Sequence, residues 1–490
     1  MSVEDPVTVA ICDGLADAAA VRDALDKLPG VHPAVVRGLS RRPERGAALA
    51  VTEGAERLVM VVRGDGASRD EVQRQARRAG LDPFAVELVR VTDAEGATPA
   101  VALRVGAAVA RLRAFGGTAP EQLRPRLLDE QATTSRRSLL TLPPLTYDAL
   151  PKVPEERCHE PQRCRLCVDA CPHAALEAEP RRIVVDAARC DGCGLCVAAC
   201  PRGAVDLPAA SPAEYEARLD ALLTAGADAL VFSCRHARLD AASWAPVEVP
   251  CAAMVTPGWV LQALVHGAGT VAVVPCGDCF CGDQTERRVS YLRELLTLLG
   301  DEHATARVQL RPEAEPPGLP PLARSRSPQR LSEPVATAEV LRGLGDVGSL
   351  VHDASPLGLV EVSDEACTAC GACATVCPTG ALRLDQTAGD ASISFDAAAC
   401  VGCGRCALAC PEAANGAIAT ERTTDLGALA RGRVALKREP LVRCQSCGRP
   451  IAPRRLLERV GELVADEPLL GILAERCADC RSLRTVAERS

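Results

Sequence analysis

The chain has 490 residues, a net charge of −8 and basic residues scattered along it, a balance that argues against nucleic acid or an anionic membrane surface as the main partner. Hydrophobic residues make up 48% but aromatics only 2%, so small aliphatic side chains must fill the cores. The 26 cysteines, with no secretory signal visible in the acidic start Met1–Pro6, point to metal ligation in a reducing cytoplasm and away from disulfides.

In chain order, residues 1–125 alternate strand and helix signals. Val7–Cys12 and Leu58–Val62 are short β-branched runs, and Arg69–Ala79 and Ala100–Phe115 carry helical periodicity, which predicts an open parallel-sheet α/β domain. Residues 126–157 lack periodicity and hold Pro143, Pro144, Pro151 and Pro154, the pattern of an extended connector.

Residues 158–210 open with Cys158, Cys164, Cys167 and Cys171-Pro172, followed by Cys190, Cys193, Cys196 and Cys200-Pro201. Residues 356–425 repeat the pattern as Cys367, Cys370, Cys373 and Cys377-Pro378, then Cys400, Cys403, Cys406 and Cys410-Pro411. Three of these runs read C-x2-C-x2-C-x3-C-P, the bacterial dicluster ferredoxin spacing, in which the fourth cysteine ligates the other cluster of the pair. Four thiolates match the iron corners of a cubane, so four [4Fe–4S] clusters and electron transfer are expected. The crossing-over rule groups Cys158, Cys164 and Cys167 with Cys200, and Cys190, Cys193 and Cys196 with Cys171. It groups Cys367, Cys370 and Cys373 with Cys410, and Cys400, Cys403 and Cys406 with Cys377. The first run departs from the rule, with five residues between Cys158 and Cys164; either the loop bulges or another residue, such as His159, replaces Cys158.

Residues 211–305 return to α/β alternation, with strands expected at Ala229–Ser233, Val247–Pro250 and Thr270–Pro275 and a last helix at Glu286–Leu299. The most apolar window, 255–275, is broken by Pro257, Gly258, Gln262, His266, Gly267 and Gly269 and reads as a helix plus a strand, not a membrane span. Cys234, Cys251 and Cys276 each follow an expected strand, and the carboxyl ends of parallel strands form the crevice of such a sheet. With Cys279 and Cys281 on the next loop, five cysteines for four places suggest one [2Fe–2S] cluster and one bystander.

Gly226-Ala-Asp-Ala-Leu-Val-Phe-Ser-Cys234, Val249-Pro-Cys251, Cys276-Gly-Asp-Cys279-Phe-Cys281 and Arg287-Arg288 resemble the delta (iron–sulfur) subunit of methyl-viologen-reducing hydrogenases. The resemblance implies a [2Fe–2S] cluster that passes electrons between a hydrogenase or formate dehydrogenase and heterodisulfide reductase. It maps the family's C-x4-C pair onto Cys276 and Cys281, leaving Cys279 as the alternate, while Cys234 stands alone where the family has paired cysteines. Gly80-Leu-Asp-Pro-Phe-Ala-Val-Glu-Leu-Val-Arg90 resembles the leading domain of the flavin-binding subunit of heterodisulfide reductase, whose cysteines are here reduced to Cys12. The flavin-binding core of that subunit has no counterpart, so no flavin is expected. The one G-x-G-x-x-G, Gly343-Leu-Gly345-Asp-Val-Gly348, has no strand before it and reads as a turn.

Residues 306–355 carry seven prolines between 308 and 335 and read as a flexible linker. Residues 426–490 hold Cys444-x2-Cys447-Gly448 and Cys477-x2-Cys480, with a helical stretch at Leu456–Ala465 between them. Four thiolates in two knuckles fit a structural tetrahedral zinc, with an iron site or bare thiols as the alternatives. Trp244, Trp259, His236 and His266 read as packing or loop residues, and His173 as a neighbour of a cluster.

The expectation is an α/β and α+β mosaic: two dicluster ferredoxin modules, open parallel-sheet α/β domains and a small zinc-knuckle segment. Its function would be that of a cytoplasmic electron-transfer subunit without a substrate site of its own. Its partners would be other subunits of a redox complex and a soluble ferredoxin, with no nucleic acid and no membrane insertion. A thiol or disulfide-reducing enzyme built on Cys276, Cys279 and Cys281 is the rival class, and a sensor or scaffold with structural clusters is a third.

Overall fold

A computed structural model describes residues 6–15, 17–64, 67–91, 98–127, 145–158, 161–237, 243–277, 282–322, 332–387, 389–464 and 474–481. The chain divides into two compact units, Met1–Ala336 and Thr337–Ser490. Among the described residues no helix is long and apolar enough to cross a membrane, and the cysteines are free of disulfides.

The first unit begins with β1 (Val7–Cys12), α1 (Ala18–Leu25), β2 (Val31–Val36), α2 (Glu44–Thr52), β3 (Arg57–Arg63), α3 (Arg69–Arg78), β4 (Val86–Val91) and α4 (Thr98–Ala114). The strands form a parallel sheet in the order β2-β1-β3-β4. Period-2 alternation sends Val7, Val9, Ile11, Val59 and Val61 to the face covered by α1 and α4. Ala10, Cys12, Leu58, Met60 and Val62 go to the opposite face, under α2 and α3. Strands buried on both faces read as continuous apolar runs, which is why β1 and β3 are plain in the sequence.

The expected connector contains a strand. Leu123–Leu127 (β5) and Leu145–Ala149 (β6) pair as an antiparallel ladder, and Arg124 holds Asp148 across it at 2.8 Å. The first ferredoxin module follows, with α5 (Pro161–Cys164), α6 (Leu166–Asp169), the hairpin β7 (Leu176–Ala178) and β8 (Ile183–Val185), and α7 (Leu195–Ala199). An isolated bridge between Lys152 and Asp206 closes its ends.

Next come α8 (Pro212–Thr224), β9 (Ala229–Cys234), β10 (Ala245–Val249), α9 (Pro257–His266), β11 (Thr270–Val274), α10 (Gly282–Leu298), α11 (Ala304–Arg307) and β12 (Val308–Gln309). The sheet is again parallel, in the order β10-β9-β11-β12. Its plan repeats that of the first sheet: second, first, third, fourth strand. Ser211 and Glu214 form a capping box that starts α8. Tyr215 and Phe232 gather around Trp259, at 4.9 and 6.1 Å between ring centroids, so three of the scarce aromatics form one core. Trp244 also packs inside, its Nε1 donating to the Glu313 carbonyl at 2.9 Å.

The proline-rich stretch is therefore less of a linker than its composition suggests. β12 completes the sheet, and buried Arg307 donates to the carbonyls of Gly269 and Pro320 at 2.8 and 2.7 Å, tying the segment down. Helix α12 (Val335–Arg342) crosses the division between the units. Gly343 and Gly345 lie in the turn that ends it, with no strand leading in.

The second unit contains β13 (Ser349–Val351), β14 (Leu359–Val362), α13 (Ala372–Thr375), β15 (Leu382–Gln386), β16 (Asp390–Phe395), α14 (Arg405–Leu408), β17 (Ile418–Glu421), β18 (Thr423–Asp425), α15 (Leu426–Arg431), β19 (Val434–Arg443), β20 (Pro450–Pro453) and α16 (Arg454–Leu463). All its ladders are antiparallel: β13–β18, β14–β17 and the sheet β15-β16-β19-β20. Strand β19 of the terminal segment pairs with β16 of the second ferredoxin and carries on to pair with β20.

Candidate functional site

The cysteine loops share one backbone device. The residue after the second cysteine of each run takes a left-handed conformation: Gly194 (φ 79°), Gly371 (φ 80°), Gly404 (φ 70°) and, in the irregular run, Arg165 (φ 48°). That turn lets a short helix carry the third cysteine back toward the first two, and glycine adopts it without the Cβ penalty that Arg165 bears. Amide groups then face sulfur. Ala175 N donates to Cys171 Sγ at 3.3 Å, Ala204 N to Cys200 Sγ at 3.2 Å, Ala369 N to Cys367 Sγ at 3.4 Å and Leu382 N to Cys377 Sγ at 3.5 Å.

The thiols of each module lie near one another. Burial pushes Cys167 up to about 12, with Cys200, Cys164 and Cys158 adding to it, so these four thiols crowd one another. Cys158 adds to the charge felt at Cys167 despite its longer spacing; His159 lies outside the described residues. Cys196 is raised by burial, then by Cys193, Cys167, Cys190 and Cys171. In the second module, Cys367 is raised by burial and by Cys370 and Cys410. Cys373 goes up to about 12 through burial, Cys367, Cys370 and Cys406. Cys400 goes up to about 12 through burial, then Cys377, Cys406 and Cys403.

Such crowding makes four bare thiolates costly, and iron bound to them compensates that charge. The donor types and the N–H···S support are those that a cubane requires. A hollow lined by Cys367, Cys370, Cys373, Cys410, Val362, Ile393 and Ile418 marks one group in the second module. A similar hollow beside Cys171, Cys190, Cys193 and Cys196 also takes in His173. Within each module the two groups adjoin through one cysteine from each, Cys167 with Cys196 and Cys373 with Cys406.

The central cysteines sit at the carboxyl edge of the second parallel sheet. Cys234 is the last residue of β9, in register with Val249 of β10, while Cys251 and Cys276 lie two residues beyond β10 and β11. All three are buried. Burial raises the Cys234 thiol, and a side-chain hydrogen bond with Cys276 raises it further, so these two meet; Cys234 also donates to the Pro250 carbonyl at 3.6 Å. Cys251 packs with Ala253, Leu195 and Cys193. Cys279 and Cys281 lie outside the described residues.

Cys12 ends β1 at the position that Cys234 holds in the matching sheet. Its sulfur accepts from Ser40 Oγ at 3.1 Å and Gly14 N at 3.4 Å. Only the strand order exposes this correspondence, since the two runs share no motif beyond a terminal cysteine.

In the second unit Cys444, Cys447, Cys477 and Cys480 place their ligand atoms within 4.8 Å of one another, with Cys447 and Cys477 at 3.6 Å. Zinc–sulfur bonds of about 2.3 Å in a tetrahedron set sulfurs about 3.8 Å apart. Four irons between the thiols would spread them further. Hydrogen bonds from the backbones of Cys477, Cys447 and Ser446 draw the Cys444 thiol down to about 6, favouring a thiolate there.

Sequence reading missed a buried charge cluster between the first α/β domain and the second. Arg111 of α4 meets Glu87 of β4 and Glu214 of α8, each at 2.7 Å, and Arg218 meets Glu87 at 2.5 Å. Burial works against the Glu87 carboxylate, but Arg218, Arg111 and Arg69 outweigh it and hold the group down to about 2. The pairing spans over a hundred residues, so no local pattern announces it. Arg69, Glu87, Arg111 and Arg218 line a cavity of about 430 Å³ that is also lined by Asp191, Gly192, Arg235 and His236.

Comparison with known families accounts for the cysteine-rich parts. A 4Fe-4S dicluster domain model matches residues 157–204 and 366–414. A model for the delta subunit of methyl-viologen-reducing hydrogenase matches residues 224–324. No curated protein matches the sequence. The chain carries two 4Fe–4S dicluster ferredoxin domains, which imply four [4Fe–4S] clusters, and between them a domain of the methyl-viologen-reducing hydrogenase delta-subunit family.

Proposed function

We propose that this chain is a multi-cluster electron-transfer subunit of a cytoplasmic oxidoreductase complex. It would pass single electrons between a catalytic subunit of hydrogenase or formate dehydrogenase type and a heterodisulfide-reductase-like partner or a soluble ferredoxin. What supports this reading is the pair of 4Fe–4S dicluster domains at residues 157–204 and 366–414, with three further buried cysteines at the edge of the central sheet between them. Cys158, Cys164, Cys167 and Cys200, and Cys171, Cys190, Cys193 and Cys196, would hold the first two cubanes. Cys367, Cys370, Cys373 and Cys410, and Cys377, Cys400, Cys403 and Cys406, would hold the other two.

Cys234, Cys251 and Cys276, with Cys281 or Cys279, would hold one [2Fe–2S] cluster. Cys444, Cys447, Cys477 and Cys480 would hold one structural zinc. The leading domain would correspond to that of the flavin-binding subunit of heterodisulfide reductase, without the flavin core. The contact between Cys234 and Cys276 supports a second reading, a dithiol site that reduces disulfides.

Metal and sulfide content of anaerobically purified protein, with EPR after dithionite reduction, separates the two. The electron carrier requires about 18 iron and about 1 zinc per chain, with several reducible spins. About 16 iron, with Cys234 and Cys276 open to alkylation, would favour the dithiol enzyme.

A further inference from the structure

The groups of cysteines in the first unit are not equally placed with respect to the central sheet. The turn Ala252–Met254 leaves the end of β10 just after Cys251 and runs onto the loop of the second cysteine run. Cys251 and Ala253 pack there with Leu195 and Cys193. Met254 is fully buried. A Cβ added to Gly194, between Cys193 and Cys196, would stand 2.8 Å from the Met254 sulfur and 3.0 Å from its methyl. Gly194 is thus the seat of Met254.

Two arginines latch the same junction. Arg235, next to Cys234, donates from Nη2 to the Asp191 carbonyl at 3.0 Å, beside Cys190. Arg288 of α10 donates to the Val255 carbonyl at 3.1 Å and to that of Ala253, bracing the turn from behind. The group of Cys158, Cys164, Cys167 and Cys200 meets this assembly one step away, through Cys167 against Cys196.

We infer that the Ala252–Met254 turn is a positioning device that docks the Cys171/Cys190/Cys193/Cys196 group onto the central cysteines, making this group their direct electron-exchange neighbour, with Met254 as the residue that sets the junction. The inference rests on the proposed [2Fe–2S] reading of the central site. Electron exchange falls steeply with separation, so the order of contact is the order of exchange: outer group, inner group, central cysteines. Each passage moves one electron and no proton; the inner group is oxidised by one electron as the central group is reduced by one. The electron is supplied by a low-potential one-electron donor, dithionite in the experiment. Met254 also keeps water from the Gly194 loop, and exclusion of water holds a cluster's potential low.

The test is made on the full chain with its clusters, comparing wild type, Met254→Ala, Met254→Leu and Cys164→Ala. Spin relaxation of the central EPR signal is measured in reduced samples, alongside iron content and potentiometric titration. In the wild type the neighbouring reduced group should speed relaxation of the central signal. Met254→Ala should slow it several-fold and shift the inner group's potential upward at unchanged iron content; Met254→Leu should restore most of both. Cys164→Ala, which removes an outer-group ligand, should leave the central relaxation as in wild type. A central signal whose relaxation ignores Met254→Ala, or depends equally on Cys164, overturns the junction while sparing the [2Fe–2S] reading. A wild-type protein without a central signal overturns both.

Discussion

The two ferredoxin modules carry the same cysteine spacing in three of four runs but live in different surroundings. In the first, Gly192, Gly194, Leu195 and Val197 are buried, whereas their counterparts in the second, Gly402, Gly404, Arg405 and Ala407, are only half-buried. Leu408, which follows them, is 87% exposed. The frameworks differ in the opposite sense. The first module has strands of three residues and a lone bridge, while the second has strands of five and six residues, a further pair β14–β17 and the added strand β19. In the module with the weaker frame, the second cysteine run is the one wrapped by its neighbours. A cysteine motif therefore specifies what can be bound, while the neighbouring chain decides how far the bound group is shielded from water.

The largest effect should separate the modules outright. Cys196→Ala and Cys406→Ala should each lose about 4 iron per chain. Only Cys196→Ala should also open the central domain to limited proteolysis, since that loop packs on the Ala252–Met254 turn of the central domain. Equal protease resistance in both variants would break the comparison.

Next in size is the buried charge cluster that fastens the domains around the first module. Arg111→Ala takes the guanidinium partner from buried Glu214 while Glu87 keeps Arg218, and should cost about 3–5 kcal/mol in denaturant unfolding of the first unit. Acid acts on the same cluster. Glu87 titrates near 2 when folded against an ordinary 4.5, so its stabilisation is present above about pH 4.5 and fades as pH falls toward 2.

Met254→Ala should cost about 2–4 kcal/mol, as expected for a fully buried methionine. Leu408→Ala should stay within about 0.5 kcal/mol, because its side chain already faces water. A substantial loss from Leu408→Ala would mean that the second module is covered after all. The smallest change concerns Arg165, the one non-glycine at the left-handed position after a second cysteine. Arg165→Gly should be worth up to about 1 kcal/mol of relieved strain, visible as a small rise in thermal midpoint with cluster absorbance unchanged.

Much of this organisation is legible in the sequence because it rests on local pattern. The cysteine runs declare themselves through spacing, and strands such as Val7–Cys12 and Ala229–Cys234 through unbroken apolar runs. The proline-rich stretch misleads because prolines describe backbone stiffness but not what the backbone lies against. Arg307 and Trp244 anchor it through carbonyls, which no side-chain pattern encodes. The long strand β19 is hidden as well. Its Lys437 and Arg438 interrupt the apolar alternation, and Lys437 is buried because Asp364, far back in the chain, accepts its ammonium at 2.9 Å. The pairing of Arg111 with Glu214 and the seat of Met254 on Gly194 are tertiary facts with no local signature.

The position of β19 has a consequence for how the chain avoids sticking to itself. Its first half lies against β16, from Phe395 opposite Val434 to Asp390 opposite Pro440, and its last residues turn to pair with β20 beside Cys444. Without it β16 would become an edge, offering a row of unpaired amides and carbonyls and the apolar side chains of Ala391, Ile393 and Phe395 to any passing strand. The terminal segment thus acts as a guard rail for the second ferredoxin, and shortening the chain before residue 434 would turn the inner strand β16 into an edge that seeks partners.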